Sequence, residues 1–220
     1  MRTLTKLLSS FVGRLKPDRA TARSLALVEL PQPTREGGLP LLQALSKRQS
    51  SRDFATTQLP LQVLSDLLWA AFGVNRPETG GRTAPSALNA QEIDLYAVHA
   101  GGVHLYEPKA HALRLVAATD ARRVTGYQDF VDEAPLDLIL VADHAHVEVV
   151  PAEHRLVFSA ASAGAIAQNV YLYAASAGLA TVVRAWFDRD AIKAALRLSA
   201  DEHVLLAQTV GYPAAASNGR

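Results

Sequence analysis

The stretch that decides the fold lies between residues 158 and 186 and reads FSAASAGAIAQNVYLYAASAGLATVVRAW. Its first part, residues 158–177, contains neither a charged residue nor a proline and predicts one helix that is apolar on nearly every face. Gly178 stands where a left-handed residue would end that helix, and the β-branched Thr181, Val182 and Val183 predict a strand directly after it. We therefore expect a long central helix, buried in the domain, that leads into a core strand.

The predicted helix is long enough to cross a bilayer at about 1.5 Å per residue. Polar side chains interrupt it, however, and no other segment resembles a membrane span, which favours burial inside a globular domain. Its small residues permit close approach of either a flat cofactor or a second helix. The sequence leaves both uses open. These small residues are Ala160, Ala161, Ala163, Gly164, Ala167, Ala174 and Ala175.

The composition narrows the classes of function. A chain of 220 residues is long enough for one domain with its own apolar core. The absence of cysteine excludes disulfides, thiolate metal sites and thiol nucleophiles, so redox chemistry would need a cofactor. With 22 Lys and Arg against 21 Asp and Glu, the net charge is +1. We therefore expect a small-molecule partner, no nucleic acid and no stable membrane association.

Residues 1–37 are predicted to form an N-terminal extension or arm, and residues 38–220 the main domain. The first thirty residues are basic, but the apolar run at residues 7–12 is short and is followed by Arg14 and Lys16, unlike a secretory signal. An amphipathic helix that ends before Pro17 and a loose tail both fit this pattern. We expect a cytoplasmic protein, with a periplasmic or exported form as the alternative.

A cluster of basic and hydroxyl residues follows a helix predicted at residues 39–47. Arg48 and Arg52 are four residues apart with serines between them, and such side chains can converge on one phosphate. A solvated last helical turn, favoured by the helix dipole, is the other interpretation. Local sequence does not choose between them.

The remaining pattern predicts an α+β fold in which helices surround a mixed sheet. We expect strands at residues 94–99, 103–107, 113–117, 136–142, 180–186 and 204–210, and helices at residues 60–73, 120–131 and 188–196. Residues 80–91 form a polar loop that suits close approach to a ligand, although an ordinary connector fits equally well. His144 and His146 lie near Asp143, but a third ligand at suitable spacing is missing, so no metal site is predicted.

Four separated motifs resemble, in order and spacing, the flavin-dependent nitroreductase family, over roughly residues 39–213. Within that family, the loop and the second helix look most like the subgroup that includes azoline-oxidising dehydrogenases of peptide maturation. The motifs are Arg48-Gln49-Ser50-Ser51-Arg52-Asp53-Phe54, Leu67-Leu68-Trp69-Ala70-Ala71-Phe72-Gly73, Arg82-Thr83-Ala84-Pro85-Ser86-Ala87-Leu88-Asn89, and Gly178-Leu179-Ala180 leading to Phe187-Asp188.

The resemblance implies an intertwined α+β homodimer that holds FMN between its subunits. Matched position by position, Arg48, Ser50 and Arg52 would hold the phosphate and the pyrimidine side of the flavin. A second group would approach the flavin from the other subunit, namely Pro85, Ser86, Ala87 and Asn89. A third would pass the ring and direct a backbone N–H at flavin N5, namely Arg184, Ala185 and Trp186.

The resemblance also implies the reaction. A reduced nicotinamide, NAD(P)H, would give hydride to flavin N5 and leave, and an electron-poor nitroaromatic, quinone or enone would then be reduced in the same place. No catalytic side chain is expected because flavin N5 does the chemistry, and the substrate pocket would contain Trp186, Tyr127 and Phe130. The alternatives are a flavin-dependent oxidase or dehydrogenase of a peptide or small substrate with oxygen as acceptor, and a degenerate flavin-free dimeric binding protein.

The sequence departs from the family pattern in three places, and the first two motivate the flavin-free alternative. Trp186 stands where a glycine is common, so its indole would stack over the flavin or narrow the cavity. The segment after Tyr212 is short and offers only Arg220 as a basic residue for the phosphate. Gln91-Glu92-Ile93 replaces a more usual run, which we expect to affect ring contacts rather than the fold.

Overall fold

The computed structural model describes residues 27–215, and the helix predicted before Pro17 lies outside that range. The described chain alternates between strands and four α-helices, with short 3-10 turns between them. In chain order the elements are β1 (Leu27–Glu29), α1 (Leu41–Lys47), α2 (Leu61–Phe72), β2 (Val74–Arg76), β3 (Gly81–Arg82), β4 (Ile93–His99), β5 (Gly102–Glu107), β6 (Ala112–Ala117), β7 (Leu136–Asp143), α3 (Ala152–Ala177), β8 (Ala180–Arg184), α4 (Arg189–Leu196) and β9 (Glu202–Gly211).

Seven strands form one sheet in the order β1-β6-β5-β4-β7-β9-β8. The predicted α+β class is confirmed, but the described sheet is antiparallel throughout rather than mixed. Helix α3 carries the chain over the sheet, so β7 and β8 run in the same direction. They do not pair with each other because β9 returns between them and is antiparallel to both.

The sheet separates two apolar cores. Strand β7 is buried at all eight positions, which confirms the predicted strand with two covered faces. Its successive side chains point to opposite sides, so Leu138 packs with α2 and α3 while Ile139 packs with Ile192 of α4. The predicted helices at residues 39–47, 60–73 and 188–196 are present as α1, α2 and α4, each starting one or two residues later.

Helix α3 is longer than its sequence pattern predicts, because it begins at Ala152 rather than Phe158. It ends as expected at Gly178, whose φ of 70° lies in the left-handed region. Ile166 and Val170 are fully buried against the sheet, but the opposite side is open and Val157 is 65% exposed. The chain therefore buries one face of α3 and leaves a second apolar face uncovered. None of the helices between residues 27 and 215 combines the length and hydropathy needed to span a bilayer.

The helix predicted at residues 120–131 is wrong. The chain there forms two 3-10 turns, Arg122–Thr125 and Asp129–Val131, separated by extended backbone at Gly126. The Asp120 carboxylate accepts hydrogen bonds from the N–H and guanidinium of Arg122, which favours a local turn over a continuing helix. Gly126 also packs closely against the side chain of Arg184. A Cβ at this position would lie 1.9 Å from Nη1 of Arg184, so a larger residue does not fit.

A buried polar network centred on Arg184 ties these turns to three strands. Its guanidinium donates to Oδ1 of Asp137 on β7 at 2.6 Å and to Oγ1 of Thr209 on β9 at 2.7 Å. It also donates to the carbonyl oxygen of Thr125 at 2.7 Å. The hydroxyl of Thr125 donates to the other Asp137 oxygen at 2.8 Å, so both carboxylate oxygens are satisfied without water.

Burial is the dominant electrostatic effect in this network. It raises the pKa of the fully buried Asp137 carboxyl group, although Arg184 and the hydroxyl donors oppose the rise. It lowers the pKa of Arg184, and Asp137 opposes that change in turn. Each charge is therefore tolerated in the core only because the other is present.

We predict that Arg184→Met destabilises the protein by roughly 3–5 kcal/mol at pH 8, because it leaves a buried carboxylate without its partner. The matched control is Arg123→Met, which removes an Arg–Asp contact of nearly equal length, 2.7 Å, at a side chain that is 84% exposed. That change should cost less than about 1 kcal/mol. The measurement is urea unfolding of both variants and of the unaltered protein.

The deficit of Arg184→Met should also shrink as the pH falls towards 5. Because Arg184 opposes the rise that burial causes, its removal raises the pKa of Asp137 in the folded state further above the unfolded value. In the folded variant Asp137 therefore takes up its proton at a higher pH than in the unaltered protein. The variant gains stability relative to the unaltered protein as the solution becomes more acidic. Equal losses in the two variants, or a deficit that does not change with pH, would contradict this account of the network.

Candidate active site at the edge of β8

The segment from residue 48 to residue 55 runs along the open edge of the sheet. Strand β8 is the last strand at that edge, and Ser51 donates its N–H to the carbonyl oxygen of Thr181 at 2.9 Å. Farther on, Phe54 forms a β-bridge with Pro213. An edge strand has backbone groups that no neighbouring strand satisfies, and this segment supplies a hydrogen-bond partner for one of those of β8. The predicted phosphate-binding residues are thus fixed to the strand that was predicted to pass the flavin ring.

The predicted phosphate ligands differ in exposure. Arg48 is half-buried, with its guanidinium carbon 5.3 Å from the centroid of the Tyr171 ring, while Ser50 and Arg52 are exposed. Among residues 27–215, no carboxylate lies within ion-pair distance of either arginine. Both positive charges therefore remain available to an anionic ligand.

Tyr171 is a residue that sequence reasoning missed. It lies on α3, and its hydroxyl oxygen is 2.8 Å from Ser50 Oγ and 3.0 Å from the backbone nitrogen of Val183 on β8. One side chain thus contacts the basic segment, the central helix and the edge strand. An alanine-rich helix gives no sequence signal that singles out one tyrosine, because an apolar helix buries aromatic residues for packing alone.

A pocket of about 220 Å³ lies beside the same segment. Its walls include Gln49, Ser51, Tyr171 and Thr181, whereas Arg48, Ser50 and Arg52 do not line it. The lining residues alternate in sequence with the predicted ligands, as expected for an extended segment with two sides. This pocket is therefore not the predicted phosphate site.

The loop that follows β3 is held in an uncommon conformation. Leu88, Asn89 and Gln91 have φ angles of 54°, 54° and 53°, which non-glycine residues adopt only where surrounding contacts impose them. Gln91 provides those contacts: it donates its backbone N–H to Ser86 Oγ at 2.9 Å and accepts from Nε of the buried Arg82 at 3.0 Å. Gln91 therefore shapes the fold of the loop, contrary to the expectation that it affects only ring contacts.

The predicted cofactor residues on this loop are at least partly accessible, with Pro85 and Asn89 exposed and Ser86 and Ala87 half-buried. In the described part of one chain, no hydrogen bond or ring contact joins them to residues 48–52. The structure of a single chain thus does not bring these two groups together. Their meeting across two subunits stays a prediction.

Two of the three predicted substrate-pocket residues lie together at the end of β8. The rings of Tyr127 and Trp186 meet edge to face with centroids 5.7 Å apart, and Trp186 is 75% exposed. Phe130 lies apart from this pair, with its ring 5.3 Å from that of Phe54 and 5.7 Å from the guanidinium carbon of Arg184. Tyr127 and Trp186 are thus available to a planar ligand, whereas Phe130 packs against Phe54 and Arg184.

The backbone after β8 suits the role predicted for it. The side chain of Arg184 is held in the buried network, so only its backbone can serve a ligand. Among the described residues, no atom accepts a hydrogen bond from the N–H of Trp186. The φ angle of Trp186 is not positive, so the backbone at this position does not require the glycine that is common there.

These observations fit a ligand with an anionic end and a flat, electron-accepting end. Arg48, Arg52 and Ser50 can hold a phosphate, and a backbone donor and two exposed aromatic rings lie at the end of the adjoining strand. FMN has both kinds of group, so the residues present fit it. The histidines offer no comparable site, since no three His, Asp or Glu side chains within residues 27–215 are arranged to hold a metal ion.

The chain is similar to known proteins in sequence and in fold. The sequence profile of the Nitroreductase family matches residues 45–212. Putative nitroreductase MJ1384 of Methanocaldococcus jannaschii is 32% identical over 182 residues, which cover 78% of this chain and 90% of that protein. The region that the family profile matches includes the basic segment, the loop, the central helix and strand β8.

Solved structures share the same fold. A crystal structure of a putative nitroreductase from Ralstonia eutropha JMP134 is 48% identical, covers 91% of this chain and 96% of its own, and superposes with a TM-score of 0.83. A chain of the Escherichia coli microcin synthetase McbBCD complex has a TM-score of 0.66 at 16% identity, covering 95% of this chain and 91% of its own. The second likeness is one of fold alone. The chain belongs to the nitroreductase family, and this membership supports an oxidoreductase that works with a flavin.

Proposed function

We propose that this protein is an FMN-dependent oxidoreductase that takes hydride from NAD(P)H and reduces an electron-poor nitroaromatic, quinone or enone. The observation that carries the proposal is the edge of β8. Along this edge lie two arginines with no described carboxylate partner, and at its end lie an exposed aromatic pair and the backbone N–H of Trp186, which has no acceptor within residues 27–215. FMN, when bound, supplies hydride transfer through its N5 atom, so no catalytic side chain is needed.

The chain contributes binding and orientation. Arg48 and Arg52 supply positive charge to the phosphate, and Ser50 supplies a hydroxyl between them. With FMN bound, the N–H of Trp186 would donate to the ring nitrogen N5, where a fixed donor favours the reduced form without a titrating side chain. Tyr127 and Trp186 form an aromatic wall that accepts flat acceptors by stacking. A cytoplasmic location stays a prediction of the sequence.

A homodimer would complete the site. The uncovered face of α3 includes Leu156, Val157 and Phe158, and α1 exposes Leu41 and Leu42. Gly164 on the same helix has no neighbouring atom within 4 Å of a Cβ built on it, so another backbone can approach closely there. A second chain on this surface would bury apolar area and bring the loop with Pro85, Ser86, Ala87 and Asn89 to the flavin of its partner.

We predict that the purified protein is yellow, or becomes yellow with added FMN, and that Arg48→Glu and Arg52→Glu each prevent FMN retention. Charge reversal replaces attraction for the phosphate with repulsion. The measurement is the visible absorption of desalted protein. The matched control is Arg197→Glu at the exposed end of α4, which should retain flavin as the unaltered protein does. A colourless protein that does not take up FMN would contradict the proposal and favour the flavin-free alternative.

We predict that the unaltered protein is a dimer and that Val157→Glu shifts it to monomer with loss of bound FMN. The new charge would be desolvated against an apolar partner surface. The control is Val28→Glu on β1, at the opposite edge of the sheet. Light scattering coupled to size-exclusion chromatography gives the mass. A monomeric unaltered protein that holds FMN would refute the shared site.

We predict NAD(P)H consumption with menadione, and a KM for menadione raised about three- to tenfold in Trp186→Ala, because an aromatic contact to the acceptor is lost. Trp186→Phe should retain most of the affinity, and Trp69→Phe should not change it. Hydrogen peroxide formed from a substrate without NAD(P)H would favour the oxidase alternative instead. An unchanged KM in Trp186→Ala would remove Trp186 from the substrate pocket.

A further inference from the structure

The hydroxyl of Tyr171 lies between two partners that constrain its proton. It is 3.0 Å from the backbone nitrogen of Val183 and 2.8 Å from Ser50 Oγ. A backbone N–H can only donate, so the Tyr171 oxygen accepts from Val183. The phenol has a single proton of its own, and the direction of the Tyr171–Ser50 hydrogen bond decides where that proton goes.

One direction satisfies every group and the other does not. If Tyr171 donates to Ser50, its proton is used and its oxygen still accepts from Val183. If Ser50 donates instead, the Tyr171 proton has no other acceptor among the described residues, although Tyr171 is only 7% exposed. An unpartnered buried donor costs roughly 1–3 kcal/mol, and donation from Tyr171 is favoured because it avoids that cost without requiring water in the pocket that Tyr171 lines.

This direction determines what Ser50 can do. A serine hydroxyl that accepts from Tyr171 keeps its own proton free to donate elsewhere. Ser50 is exposed, and it lies between Arg48 and Arg52 in a segment with no described carboxylate at ion-pair distance from either arginine. The free proton therefore suits an acceptor that carries negative charge.

We propose that Tyr171 is a positioning residue that makes Ser50 a hydrogen-bond donor to the phosphate of the bound cofactor. The same ring supports Arg48, whose guanidinium carbon is 5.3 Å from its centroid. Tyr171 thus links the backbone of β8 to two proposed phosphate ligands, to Ser50 through its hydroxyl and to Arg48 through its ring. This inference rests on the proposed function, and it assigns a role to a residue that does not itself touch the cofactor.

The test compares binding of FMN and riboflavin, which differ only in the phosphate, to flavin-depleted protein by fluorescence quenching. Tyr171→Phe keeps the ring beneath Arg48 but removes the hydroxyl. We expect it to weaken FMN binding about tenfold while riboflavin binding changes less than about twofold. Ser50→Ala, at an exposed position, should give the same selective loss.

Two further variants make the test specific. Tyr171→Phe and Ser50→Ala each interrupt the same hydrogen-bond chain from Tyr171 through Ser50 to the phosphate. The double variant should therefore bind FMN no more than about twofold more weakly than Ser50→Ala alone. The matched control is Tyr173→Phe, a half-buried tyrosine on the same helix that should leave both affinities unchanged. Amide hydrogen exchange at Val183 should accelerate in Tyr171→Phe and provides a readout independent of flavin.

The outcomes separate the inference from the function on which it rests. Unaltered protein that binds neither FMN nor riboflavin would overturn both. FMN binding that is unaffected by Tyr171→Phe, an equal loss for FMN and riboflavin, or losses that multiply in the double variant would overturn the role of Tyr171 alone. If Tyr171→Phe fails to fold, a non-selective effect of Ser50→Ala overturns the inference and a selective one supports it.

Discussion

The structure depends on how the outer edge of strand β8 is satisfied. A strand at the end of a sheet has peptide groups that face away from its only neighbour, and these need partners. Here the carbonyl of Thr181 accepts from Ser51, and the N–H of Val183 donates to the hydroxyl of Tyr171. These partners come from the basic segment and the central helix. The hydrogen bonds that satisfy the outer edge of β8 therefore also hold the predicted phosphate ligands in place.

The end of β8 is fixed by a different kind of interaction, a buried network of side chains. Arg184, at its last position, is held in the core by Asp137 and Thr209 and reaches the turn that contains Thr125. The strand therefore ends at a fixed point, from which Trp186 emerges beside Tyr127. A rigid strand that presents a backbone donor and aromatic rings is what orientation of a planar cofactor requires, since small misplacements are costly in rate.

Much of the fold was predictable because it depends on local patterns. The helix cap at Gly178, the apolar run of β7 and the position of each confirmed strand follow from periodicity and turn residues. The network around Asp137 was not predictable, since its partners Thr125, Arg184 and Thr209 are far apart in sequence. The 3-10 turns at residues 120–131 were missed because tertiary contacts to Gly126 override helical periodicity. Arg48, Ser50 and Arg52 were predicted as flavin ligands and stay a prediction, whereas the contacts of Tyr171 with Ser50 and Arg48 had no signal in the sequence.

The most direct test of the central claim is a crystal structure of the protein grown with FMN. We expect phosphate oxygens in contact with the side chains of Arg48, Ser50 and Arg52, with Tyr171 hydrogen-bonded to Ser50 behind them. The isoalloxazine ring should lie between two chains with its N5 facing the N–H of Trp186. FMN bound elsewhere, or Arg48 and Arg52 directed into solvent with no crevice between chains, would contradict it.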